Sequence, residues 1–244
     1  TLNSIVQKGV LTVGLEPGYM PFEMKDKQGN IIGFDVDMAN EMAKAMGVKL
    51  QLVPTAWDGI IAGLLTGKYD IIMSGMTITQ ERNLQINFAN PYIVVGQTVM
   101  MDKKLADTIK TAKDLDKPEY TIVTKLGVTG EIATKKFFKK AKIVTFETEA
   151  DATAEVLNGK AAAMVYDQPY NVLFMSDKGK DKLVHLDTPL TYEPLGWAIR
   201  KGDPDFLNWL NNFLRQSQED KVVGFSDELY QKWLVETDWL QRVQ

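Results

Sequence analysis

Leu65-Thr66-Gly67-Lys68-Tyr69-Asp70-Ile71-Ile72-Met73 and Leu157-Asn158-Gly159-Lys160-Ala161-Ala162-Ala163-Met164-Val165 are the two stretches on which the fold turns. Each reads as a helix end, a Gly-Lys turn and a strand apolar on both faces, the pattern of a strand buried between helices. Working outward, the same order of elements surrounds both. Before the first stretch come a strand at 11–15, a hairpin over 23–34 turning at Asp26-Lys27-Gln28-Gly29-Asn30, and a helix. That helix starts near Asp35 or Asp37, carries Ala39, Met42, Ala43 and Met46 as its buried stripe, and stops at Gly47. A strand at 49–54 and a helix bearing Ile60, Ile61, Leu64 and Leu65 lead into the buried strand at 69–73. Around the second stretch, strands at 120–124, 142–146 and 161–166 alternate with helices at 129–140 and 152–157. The expectation is an α/β protein of two structurally alike lobes.

The joins between the lobes are two long extended runs, Pro91 to Met101 and Leu190 to Ile199. They suggest a chain that leaves lobe one, builds lobe two and returns, with lobe one formed by 1–94 plus 195–244 and lobe two by 95–194. Asp203-Pro204 then caps a helix carrying Phe206, Leu207, Leu210 and Leu214. A cleft between lobes hinged by two strands is where small ligands usually bind.

Composition narrows the chemistry. Of 244 residues, 45% are apolar and 25% charged, the balance of a folded chain rather than a disordered one. The formal charge of −4 offers no footprint for nucleic acid. Lys135-Lys136-Phe137-Phe138-Lys139-Lys140 reads as a solvated helix face with two core phenylalanines. With no cysteine, thiolate nucleophiles, disulfides and thiolate zinc sites are excluded, and any Ser-His-Asp arrangement would need the single histidine, His185. His185 lies in an apolar strand-like stretch and reads as structural. Neither Gly-Lys turn has the flanking residues of a phosphate loop, and no metal-ligand spacing stands out. No cofactor is expected. No apolar run is long enough to span a membrane, and Thr1 opens no signal-type segment. The chain is therefore expected to be cytosolic, or a mature form from which an export signal was removed.

Ligands of open α/β sheets bind beyond the carboxyl ends of the strands. The residues expected there are Glu16 and Tyr19, then Trp57, then Ser74, Gly75, Met76 and Thr77 with Arg82. The second lobe offers Lys125, Gly127-Val128-Thr129 and Asp167. Backbone N–H groups at Ser74-Gly75, the Thr77 hydroxyl and the planar fork of Arg82 suit a carboxylate. The same residues also read as a solvated helix start, with Thr79 as cap and Arg82 on the surface. Asp167 could accept an ammonium group or cap the following helix. Tyr19 and Trp57 could sandwich a ligand's stem or belong to the core. Glu16 and Lys125, each following the first strand of its lobe, could pair with each other, grip a ligand or face solvent.

Taken together, these residues resemble the polar amino acid-binding proteins of bacterial ABC importers. The resemblance is carried by Gly33-Phe34-Asp35-Val36-Asp37, Trp57-Asp58-Gly59-Ile60-Ile61-Ala62-Gly63-Leu64 and Ser74-Gly75-Met76-Thr77-Ile78-Thr79-Gln80-Glu81-Arg82. Pro91-Tyr92 and Leu195-Gly196-Trp197-Ala198-Ile199-Arg200-Lys201 continue it. It implies the type II two-lobed periplasmic binding protein fold with two crossing hinge strands. It also implies a monomer that takes a free amino acid to an ABC transporter permease, in the periplasm or tethered outside a membrane. Arg82, with the amides around Gly75 and Thr77, would clamp the α-carboxylate. Thr129 would join that clamp, Asp167 would take the α-ammonium, and Tyr19 and Trp57 would hold the stem. The stretch from Leu15 to Phe22 is similar to the lysine-type branch, which implies a cationic ligand, with glutamine as the alternative. Cyclohexadienyl dehydratases also resemble this chain. Their general acid, a glutamate, corresponds here to Tyr170, and their catalytic lysine to Gln97, so the resemblance does not carry their elimination chemistry across.

Overall fold

Two five-stranded sheets with the same internal order organise the chain, seen in a computed structural model that describes residues 1–219 and 224–243. The chain divides into a unit of residues 1–94 with 194–244 and a unit of residues 95–193.

In the first unit the strands run in the spatial order Lys49–Pro54, Val10–Leu15, Ile71–Ile72, Ala198–Ile199, Asn87–Phe88. The first three are parallel, with Val10 opposite Lys49 and Val13 opposite Ile71; Ala198 then pairs antiparallel to both Ile72 and Phe88. Parallel neighbours need helical crossovers, and Phe34–Met46 and the turn-plus-helix Trp57–Leu65 supply them. The 34–46 helix stops at Gly47, whose φ of 67° is the left-handed cap that an L side chain resists. Met46 is only half-buried; the stripe that meets the sheet runs instead through Met38, Ala39, Met42 and Ala43. Both ends of the chain belong to this unit. The N-terminal ammonium pairs with Asp203 at 2.7 Å, and Asp203 also accepts the Phe206 N–H at 3.1 Å as the cap of Pro204–Glu219.

In the second unit the order is Lys142–Phe146, Thr121–Lys125, Ala163–Asp167, Gln97–Asp102, Leu183–Leu186. Again three parallel strands are followed by an antiparallel one, here Gln97–Asp102, which pairs with both 163–167 and 183–186. The core gathers Val99, Met101, Ile109, Leu115, Ile122, Phe138, Ala163 and Val165. The helix expected to reach Lys140 ends at Phe137, because Phe138 turns extended and buries itself in that core. Each long extended run breaks in two. Ile93–Val95 and Gln97–Asp102 are separated at Gly96, and Glu193–Leu195 and Ala198–Ile199 at Gly196 and Trp197. Strands 93–95 and 193–195 pair with each other.

Candidate functional site

The first unit's candidate residues lie where its parallel strands end. The 10–15 strand stops at Leu15, and the chain turns so tightly that the Tyr19 carbonyl accepts both the Phe22 and Glu23 N–H groups at 2.9 Å. Tyr19 is buried, its ring centroid 4.8 Å from that of Phe22. It lies against Gly75, where a Cβ would overlap the Tyr19 ring; φ there is +52°, so glycine is required on two counts. The Glu16 amide donates to Ser74 Oγ at 3.0 Å, and that hydroxyl donates to Glu23 Oε1 at 2.8 Å. Ser74 is thus a buried link fixing the backbone of Glu16.

Two residues of this loop have partners within their own unit. The Gly75 N–H donates to Asp35 Oδ2 at 2.8 Å. The Met76 side chain turns inward, packed with Ile60, Leu64 and Tyr69 in the core. Gly75 shapes the loop, and Met76 anchors it.

Arg82 resolves both of its sequence readings at once. Thr79 does cap the short helix, its Oγ accepting the Arg82 N–H at 3.1 Å. The side chain, however, folds back. Its Nη1 donates to the Thr77 carbonyl at 2.8 Å and its guanidinium carbon lies 5.3 Å from the Trp57 ring centroid. A guanidinium tied at one nitrogen and laid on an aromatic face is fixed in plane as well as position. Arg82 and Trp57 are both half-buried, neither fully solvated nor core.

Beneath this loop is a residue that sequence reasoning missed. Asp35 is fully buried and accepts from Gly75 N–H and, at 3.0 Å, from Tyr92 O–H. Burial pushes its carboxyl up to about 6 from 3.8, against the opposing pull of those two bonds. The Trp197 indole N–H favours the ionised form too, yet makes no hydrogen bond of normal geometry. The signal was present: Asp35 stands at i in a stripe continued by Met38, Ala39 and Met42 at i+3, i+4 and i+7, so it had to face the core.

In the second unit Asp167 is the last residue of its strand and buried. It occupies the N-cap position of helix Gln168–Ser176 without a side-chain capping bond, and instead accepts from Gln97 Nε2. The same amide nitrogen reaches Thr129 Oγ at 3.4 Å. Gln97 therefore joins Asp167 to Thr129, the first residue of helix Thr129–Phe137, with Val128 at its N-cap. Gly130 leaves room for it: a Cβ there would lie 2.8 Å from Gln97 Oε1. Gln97 was missed as a site residue because it opens a strand whose next four residues are Thr, Val, Met and Met; a lone long amide before an apolar run was the signal.

Lys125 is not beyond its strand but within it, paired in register with Phe146. Its ammonium meets Glu149 at 2.8 Å, with 2% and 6% of the two side chains exposed. Glu149 opens the helix Glu149–Leu157, which starts three residues earlier than its apolar pattern suggested. Tyr170 is buried and bonds the Thr153 hydroxyl at 3.1 Å; burial, and then the nearby Glu149 charge, push its phenol well above its usual range. His185 bonds Thr98 Oγ at 2.8 Å, and burial lowers its pKa. Among the described residues no cluster of three or more His, Cys, Asp or Glu could hold a metal ion, and no helix is long and apolar enough to cross a membrane.

Residues 11–236 match the bacterial extracellular solute-binding proteins, family 3, and the chain belongs to that family. Its two-sheet architecture is the type II periplasmic binding protein fold. It is 65% identical to a Wolinella succinogenes protein described as a binding component of an ABC transporter and solved in complex with lysine. That match has a TM-score of 0.93 and covers 96% of this chain and 99% of the other. It is 48% identical, with a TM-score of 0.88 and 96% and 99% coverage, to an ancestral amino acid-binding protein described as a precursor of cyclohexadienyl dehydratase. It is 33% identical to the cyclohexadienyl dehydratase of Pseudomonas aeruginosa over 233 residues, 96% of this chain and 85% of that one.

Proposed function

We propose that this protein captures a free cationic amino acid, lysine first among them, and delivers it to the permease of an ABC importer. The observation that carries the reading is Arg82, immobilised between the Thr77 carbonyl and the face of Trp57 and so pre-set to receive a carboxylate. On this reading Asp167, steadied by Gln97, takes the α-ammonium, and the Thr129 hydroxyl adds to the carboxylate clamp. Tyr19 and Trp57 flank the aliphatic stem, and Glu16 meets the distal ammonium. The ligand's differential affinity for two states of the protein shifts a conformational equilibrium that the permease can sense. The lysine complex of the Wolinella succinogenes protein supports lysine over glutamine. The protein acts as a monomer outside the cytoplasmic membrane, in the periplasm or tethered to a membrane surface.

The role is binding rather than catalysis. Dehydration of prephenate or arogenate needs a proton donor of moderate pKa. At the position that would supply it stands Tyr170, whose phenol is held far too weakly acidic. Incubation with prephenate and arogenate should leave their absorbance unchanged, and aromatic product would revive the enzymatic reading. A thermal-shift screen of the twenty amino acids and ornithine tests the ligand. A tight ligand at a thousandfold excess over its Kd stabilises by ~4 kcal/mol, readily seen as a raised Tm. Lysine, arginine or ornithine should give the largest rise; a larger rise with glutamine would transfer the assignment to it.

A further inference from the structure

Residues 74–78 lie between strand Ile71–Ile72 and helix Gln80–Asn83 and take their shape from what they are bonded to. On one side they meet the segment by which the chain returns to the first unit. The Gly196 N–H donates to the Met76 carbonyl at 3.0 Å, and the Ile78 N–H to the Pro194 carbonyl at 2.8 Å. On the other side they rest on Asp35, which accepts the Gly75 N–H and the Tyr92 O–H. Tyr92 stands just before the chain leaves the unit, its ring stacked between Phe34 and Trp197. The Asp35 N–H donates to the Phe22 carbonyl at 2.9 Å, which holds the turn carrying Tyr19, and the Tyr19 ring covers Gly75. Asp35, in the first turn of helix Phe34–Met46, thus sets the 74–78 loop, the Tyr19 turn and the departing segment against one another, all inside the first unit.

Packing does not call for a carboxylate at this position. Asp35 continues the apolar stripe of Met38, Ala39 and Met42, where an apolar side chain would fill the space without the cost of desolvating a charge. What an apolar side chain lacks is an acceptor. With Gly75 at a φ of +52°, the bond to Asp35 fixes the peptide between Ser74 and Gly75. The turn it starts leads to Thr77, whose carbonyl holds the Arg82 guanidinium.

We propose that Asp35 is a positioning residue for ligand capture: wholly buried, it aims the 74–77 loop and the Arg82 guanidinium bonded to it by accepting the Gly75 N–H. The inference rests on the functional reading above, in which that loop and Arg82 take the α-carboxylate. Calorimetric titration of L-lysine into the unsubstituted chain, Asp35→Asn and Asp35→Leu, each well below its Tm, tests it. Asparagine keeps an acceptor for Gly75 and should bind lysine within about threefold of the unsubstituted chain. Leucine has a similar size and shape but no acceptor. In Asp35→Leu the lysine affinity should fall about tenfold or more, the scale of one hydrogen bond to a charged group, with the binding stoichiometry unchanged. A merely structural role predicts a different split, namely a reduced stoichiometry at an unchanged Kd, because the molecules that still fold would bind normally. That result overturns the proposal. So does lysine binding within about threefold of the original in Asp35→Leu, or a loss in Asp35→Asn as large as in Asp35→Leu. Should Asp35→Leu not fold, Asp35→Ser, whose hydroxyl stops one bond short of the carboxylate's reach, carries the test with the same outcomes. Should the unsubstituted chain bind glutamine in place of lysine, the same titrations with glutamine decide, since both carry the α-carboxylate. An unsubstituted chain that binds no amino acid would instead sink the functional reading itself, so the two failures are told apart.

Discussion

Replacing Asp35 by asparagine should stabilise this protein, and by an amount that depends on pH. Asp35 is wholly buried under the loop that carries Arg82, and burial lifts its carboxyl from 3.8 to about 6. The native state therefore binds the Asp35 proton more tightly than the unfolded chain does. As pH rises from about 4 to 6, the unfolded chain releases that proton first, and native stability falls through this window. Above about pH 6 the native state bears the full penalty of an ionised buried carboxylate. At ~1.36 kcal/mol per pH unit, the gap between 3.8 and about 6 amounts to about 3 kcal/mol. Asparagine has no proton to lose and keeps an oxygen for the Gly75 N–H, the shorter of the two bonds. The stability difference between Asp35→Asn and the original should thus move by up to ~3 kcal/mol in the variant's favour between pH 4 and pH 7.5. Urea unfolding followed by tryptophan fluorescence at both pH values measures it, and carboxylates common to the two proteins cancel in the difference. A stability difference that stays constant across this range, or moves against the variant, would refute the reasoning.

The remaining expectations concern the ligand and its loop. Arg82→Lys keeps the charge but loses the planar fork, and calorimetry should show lysine binding at least tenfold weaker, ~1.4 kcal/mol. Asp167→Asn, which removes the charge facing the α-ammonium, should cost ~2–3 kcal/mol for every amino acid ligand alike. Glu16→Gln, by contrast, should weaken lysine far more than glutamine in the same titrations. Gly75→Ala forces a side chain into the Tyr19 ring at a left-handed φ, and thermal unfolding should report a loss of ~1–3 kcal/mol.

The parallel strands of both sheets were legible because buried parallel strands are short, apolar on both faces and punctuated by Gly-Lys turns, whereas the edge strand Asn87–Phe88 was not expected. The site was legible only in part, and the reason differs from residue to residue. Arg82 could be placed after a strand, but its fold-back onto Thr77 and Trp57 depends on a helix cap and a ring that periodicity does not connect. Lys125 was misplaced by one residue at a strand end, which moved it from the expected loop into the sheet. Its partner lies 24 positions onward, and pairing across that separation follows from the parallel register, which no local pattern encodes. Asp167 offered two roles of equal merit, and its partner Gln97 stands 70 positions earlier, where no local pattern connects the two. Chemistry at strand ends is set by which strands lie side by side, and that is the last thing a linear reading yields.

The division of the chain also dictates an order of assembly. Residues 95–193 are continuous, and all five strands of their sheet lie between Gln97 and Leu186. The unit that begins the polypeptide cannot complete its own sheet until Ala198–Ile199 slots between Ile71–Ile72 and Asn87–Phe88. The part made first must therefore wait for the part made second, holding an unfilled gap in the middle of a nascent sheet. Excised alone, the inserted segment should be the autonomous folder, whereas residues 1–94 should remain a collapsed intermediate seeking its missing strand.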